Sequence, residues 1–177
     1  MPEDQTAPVS LPPDIATYLK GAPPESRQFD FLIGEWVVNA IRYDQGGSPV
    51  MNYTATWTAQ HLNNGRMVMD DFRAKMPTGQ EISSFVTLRT YCETTGRWEL
   101  AGLPAHQPNT ITQWHGQWSG EAMVLQAVGH DKSNAKILNR IRFFNIEANA
   151  FDWESDNSFD IGETWQKLAS LKATRMR

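Results

Sequence analysis

Residues 51–61 alternate strictly. Met51, Tyr53, Ala55, Trp57 and Ala59 are apolar or aromatic, and Asn52, Thr54, Thr56, Thr58 and Gln60 stand between them. A period of two belongs to an extended strand, because successive side chains point to opposite faces. One face is therefore dry and the other wet. Asn63-Asn64-Gly65 supplies a turn, and residues 66–76 return as a second strand, so the two make a hairpin. The same grammar continues along the chain. Pro77-Thr78-Gly79 turns into 81–92, Thr94-Thr95-Gly96 into 97–103, and Ser119-Gly120 joins 110–118 to 121–130. Asp131-Lys132-Ser133-Asn134 leads into 136–147, Asn149 into 151–156, and 163–175 is the last strand.

With Trp36 to Tyr43 as the first, this gives about ten strands on short connections and no long helix among them. The looser stretch 104–108 is the one break in rhythm. The pattern predicts an all-β, antiparallel up-and-down meander. A sheet of that size with two open edges invites edge pairing, and rolling it into a barrel removes them.

Upstream the character differs. Pro2, Pro8, Pro12, Pro13, Pro23 and Pro24 prevent regular structure over most of residues 1–28, leaving room for a two-turn helix over 14–20 that stops at Gly21. A second short helix over 25–32 precedes Gly34 and is placed to plug one barrel end. The expected organisation is a Pro-rich arm, 1–28, followed by a barrel, 29–177.

At 177 residues and 20% charged, with a net charge of -4 and no block of like charge, the chain suits one globular unit and gives no footprint for nucleic acid. No run approaches a membrane span and no signal-peptide pattern opens the chain. The one cysteine, Cys92, forms no internal disulfide and fits a reducing compartment, so the expected location is cytoplasmic.

Ser158-Phe159-Asp160-Ile161-Gly162-Glu163-Thr164-Trp165 resembles the Asp-box hairpin of sialidases and other β proteins. There the Asp accepts backbone N–H groups of the turn and the Gly supplies a positive φ. Three landmarks occur in order: Phe29-Asp30-Phe31-Leu32-Ile33-Gly34-Glu35-Trp36, then Leu62-Asn63-Asn64-Gly65-Arg66, then the Asp160 to Trp165 hairpin followed by Arg175. Together they resemble a bacterial, lipocalin-like (calycin) family of unknown function. The resemblance covers about residues 29–177 and implies a closed antiparallel barrel with an interior cavity, without an established reaction. It also implies that Trp36, at the closed end, stacks beneath Arg175 from the last strand. Gly34, Trp36, Asp160, Gly162, Trp165 and Arg175 are thus read as structural.

For a ligand, the inward face of the second strand offers Tyr53, Trp57 and His61. Phe72, Phe85, Trp98, Trp114 and Phe143 are candidate walls, suited to a small apolar or amphipathic molecule, although each could equally fill core. Residues 136–147 leave two faces open. With Arg140 and Arg142 inward, a guanidinium and Tyr53 would grip a carboxylate. With Ile137, Ile141 and Phe143 inward, the arrangement that burial favours, both arginines lie outside. Asp70 and Asp71 are adjacent, so one faces inward or sits at a rim; the expectation is a rim. An inward Asp70 with His61 and Tyr53 is the polar set for an alternative reading as a hydratase, isomerase or cyclase. His61, His106, His115 and His130 show no metal-ligand spacing, so no metal is expected. Heme is a further alternative, because Ile33-Gly34-Glu35-Trp36 is similar to the opening of nitrobindin, a heme-binding barrel. Homo-oligomerisation through exposed faces is the remaining one.

Overall fold

The computed structural model describes residues 10–105 and 110–177. Ten antiparallel strands run β1 Gly34–Tyr43, β2 Pro49–Leu62, β3 Met67–Lys75, β4 Glu81–Cys92 and β5 Arg97–Pro104. They continue through β6 Thr112–Trp118, β7 Met123–His130, β8 Lys136–Phe144, β9 Ala150–Ser158 and β10 Gln166–Arg175. Each strand pairs with its sequence neighbours, and β1 pairs with β10, so the sheet is a closed up-and-down barrel. Closure leaves no free edge.

Alternation decides the interior. In β1, Trp36, Val38 and Ala40 are buried while Val37 and Asn39 are exposed. Residues directly opposite on paired strands share a face. Trp36 lies opposite Trp57, Trp57 opposite Phe72, and Phe72 opposite Phe85, so a row of inward aromatics crosses four strands.

Several strand ends differ from expectation, and those of the last three strands have a local cause. β8 stops at Phe144 because Asn145 takes φ +48, a left-handed conformation that Asn tolerates and strands do not. β9 extends to Ser158, and β10 begins only at Gln166, since the Asp-box turn occupies the residues between.

A helix α1, Pro13–Leu19, has Pro at its first turn and buries no residue. The Arg66 guanidinium donates to the carbonyls of Thr17, Tyr18 and Gly21 and stacks on the Tyr18 ring at 4.7 Å. A cation thus satisfies carbonyls that the helix end leaves unpaired. Residues 1–9 of the Pro-rich arm lie outside the described residues.

The second helical segment is a 3-10 helix, Pro24–Leu32, which buries Ser26, Phe29 and Leu32. It closes one end of the barrel, and its span crosses residue 28 without a break. Phe29 meets Trp98 and Phe143 edge-on at 4.8 and 5.7 Å. Trp36 Nε1 donates to the Leu32 carbonyl at 2.8 Å, fixing the helix exit to β1. Among the described residues no helix is long and apolar enough to cross a membrane.

Candidate functional site

Above this plug the barrel encloses a cavity of about 520 Å³. That volume lies within the usual range for small-molecule sites. Tyr53, Trp57, Phe72, Phe85, Trp114 and Phe143 all border it, because each falls on the inward register of its strand. Trp153, Leu125, Ile141 and Leu171 complete much of the apolar wall. Gly102 is inward too. A side chain there would meet the Phe85 ring at 2.5 Å and the Trp114 ring at 2.6 Å, so the absence of one lets those rings meet at 6.0 Å between centroids.

Trp98 does not reach the cavity. From β5 it is fully buried against the plug, where its Nε1 donates to Gln28 Oε1 at 2.9 Å and its ring meets Tyr91. Arg140 and Arg142 also lie elsewhere, which corrects their inward reading. Phe143 and Ile141 occupy the inward register of β8, and the intervening arginines must point out. On the outer face Arg140 donates to Asp156 at 3.0 Å and stacks on Trp165 at 4.1 Å. Arg142 pairs with Glu154, which also meets Lys167 Nζ at 2.8 Å.

The rim expectation for Asp70 is overturned as well. Asp71 points outward and pairs with Arg73 at 2.9 Å, so period two sends Asp70 inward, where it is 1% exposed. Its Oδ1 accepts from Trp57 Nε1 at 3.0 Å, and its Oδ2 accepts from Arg89 Nη1. Burial pulls the Arg89 guanidinium down to about 9, which leaves it charged at neutral pH. The expected trio of Asp70, His61 and Tyr53 is not brought together. His61 sits at the plugged end, where its Nε2 approaches Asp30 Oδ1 at 2.9 Å.

Arg89 is the main site residue that the sequence reading overlooked. It lies four residues after Phe85 on the same strand, so two periods of alternation put both on one face. Asn139, two residues from Ile141, was overlooked too. Its Oδ1 accepts from Trp114 Nε1 at 2.9 Å, and its Nδ2 donates to Ser155 Oγ, the Asp156 carbonyl and Asn157 Oδ1. Tyr53 carries a further polar group on the wall, and burial pushes its hydroxyl pKa up, keeping it a neutral phenol.

Of the histidines, His130 borders the cavity at an exposed position, and His115 faces outward opposite Glu99. His106 lies outside the described residues. No group of three or more His, Cys, Asp or Glu side chains converges on a metal position among the described residues.

The structural set gathers at two places. Arg175 lies over the Trp36 ring at 4.1 Å, donating to the Ile33, Phe31 and Ala148 carbonyls. At the opposite end, Asp160 accepts from the Thr164 backbone at 2.9 Å, and Gly162 donates to Ser158 Oγ at 2.7 Å. Trp165 Nε1 donates to the Gly162 carbonyl at 3.2 Å. Both Ile161 and Gly162 take positive φ, +62 and +97, so the turn strains a β-branched residue as well as using the glycine.

No protein-family model matches the chain, and no curated protein matches its sequence. Solved structures do match. Rv2717c from M. tuberculosis superposes with a TM-score of 0.62 at 14% identity, over 88% of this chain and 99% of that one. The S-type phycobiliprotein lyase CPES from Guillardia theta superposes with a TM-score of 0.57 at 10% identity, over 86% of this chain and 92% of that one. Identities this low speak to architecture alone. This chain shares with them the architecture of a closed, lipocalin-like up-and-down antiparallel barrel, here of ten strands.

Proposed function

We propose that the protein binds a small apolar or amphipathic molecule inside the barrel. The observation that supports this is the cavity of about 520 Å³, walled by aromatic and aliphatic side chains with a few fixed polar groups. Such a lining favours an apolar body and orients it through its polar atoms. Binding is preferred over catalysis because both oxygens of Asp70 already accept hydrogen bonds. A carboxylate so engaged is a poor general base. A reducing, cytoplasmic setting suits the lone Cys92.

Organic extraction of the purified protein followed by mass spectrometry tests this reading. A retained metabolite or lipid at near-stoichiometric amount is the expected result. An empty extract, together with no quenching of tryptophan fluorescence across an aromatic and lipid panel, would refute it. Heme is a second reading, favoured by one observation, that His130 borders the cavity. Hemin titration should then give a Soret band that shifts in His130→Ala. No band on adding hemin removes heme from consideration.

A further inference from the structure

The deep wall of the cavity holds an ion pair whose guanidinium keeps unanswered donors, a buried one among them. Asp70 and Arg89 are 1% and 3% exposed, and both border the cavity. Trp57 and Arg89 Nη1 occupy the two oxygens of Asp70. The buried Nε–H of Arg89 has no acceptor among the described residues. A buried donor on a charged group is costly to leave bare, so whatever fills the adjoining space gains by presenting an acceptor.

We propose that the deep end of the cavity receives an uncharged hydrogen-bond acceptor, a carbonyl or ester oxygen, from a ligand that enters polar end first. This rests on the reading of the cavity as a ligand site and narrows it to neutral, acceptor-ended molecules. Asp70 already neutralises Arg89. A ligand carboxylate beside them would bring an uncompensated negative charge into a dry site. A pure hydrocarbon would leave the Nε–H unpaired. The neutral acceptor answers the donor without adding charge.

Three probes of matched shape separate these cases on the full chain: 2-acetylnaphthalene, 2-ethylnaphthalene and 2-naphthoate, each titrated at about pH 7.5 by calorimetry. The ketone is expected to bind about tenfold tighter than either of the others. Arg89→Lys keeps a cation for Asp70 but removes the Nε–H, so it should erase most of the ketone's advantage over the hydrocarbon. Tightest binding by naphthoate overturns the inference. So does equal binding of ketone and hydrocarbon, the result expected if a water molecule serves the Nε–H. Either outcome leaves the cavity reading standing, whereas no binding by any of the three overturns both. The ranking on the unmodified protein is decisive even if Arg89→Lys does not fold.

Discussion

A methyl group added to Gly34 would lie 2.5 Å from Nη1 of Arg175. Gly34 also has φ +121, which L side chains rarely adopt. The glycine is therefore the space through which the last strand's arginine reaches the Ile33 carbonyl, and its partner's stack on Trp36 depends on it. Gly34→Ala should cost about 2 kcal/mol or more and lower the thermal midpoint by about 5 °C. A midpoint unchanged within about 1 °C would show that the arginine moves aside without loss.

The Asp70–Arg89 pair is expected to behave as a buried ion pair, costly to break and cheap to replace. Asp70→Asn leaves a buried cation uncompensated and should destabilise by about 3–5 kcal/mol. Replacing both, Asp70→Leu with Arg89→Leu, should recover more than half of that loss in urea unfolding. If the double variant is as unstable as the sum of the singles, the pair contributes more than mutual neutralisation.

Arg140 offers the opposite control. Arg140→Ala removes the Asp156 contact and the stack on Trp165 on the outer face. Stability should fall by about 1–3 kcal/mol, while the affinity of a cavity probe stays within about twofold. Loss of probe binding in a folded Arg140→Ala variant would return this arginine to the ligand site.

Filling the cavity should abolish binding without collapsing the fold. Ala127 is buried and borders the lumen. Ala127→Phe occupies space that is open in the native protein, so the usual overpacking cost of about 1–3 kcal/mol should be largely absent. Probe affinity is expected to drop at least tenfold with little change in midpoint. Undiminished affinity would place the ligand elsewhere.

The Asp-box turn should be a source of acid sensitivity. Hydrogen bonds from the Thr164 side chain and backbone, then from Ser158, hold the Asp160 carboxyl down to about 2, against its ordinary 3.8. Between those values the unfolded chain binds more protons than the folded one, so stability falls as pH falls through that window. The contribution is complete above about pH 4 and gone below about 2. Asp160→Asn should flatten the slope of stability against pH over that interval; an identical slope would assign the acid sensitivity to other carboxylates.

The barrel was legible because alternation and turn chemistry are local properties, written in residues such as Met51 to Gln60 and Asn63-Asn64-Gly65. Strand ends were less so: Asn145 terminates β8 through a backbone conformation that Asn permits but does not announce. The cavity-facing aromatics followed from period two once a strand's register was anchored. Arg89 did not stand out, because an arginine in an exposed-looking strand is ordinarily solvated, and its burial depends on Asp70 from the neighbouring strand. Arg140 and Arg142 were ambiguous for the converse reason, since Leu138 and Phe144 on their face imitate a dry one. Their carboxylate partners, Glu154 and Asp156, sit buried on β9 beneath arginines that stay partly exposed.

The hydrogen bond from Arg175 to the Ile33 carbonyl spans 142 residues of chain. Closing a contact of that range is slow, because its loop entropy is lost before the contact can return anything. Until β10 docks, both β1 and β9 expose unpaired backbone, the template on which chains aggregate. The Trp36–Arg175 stack is thus a latch on a kinetic race. Variants that loosen it should refold with yields that fall steeply as protein concentration rises, even where the folded barrel, once shut, is unchanged in shape.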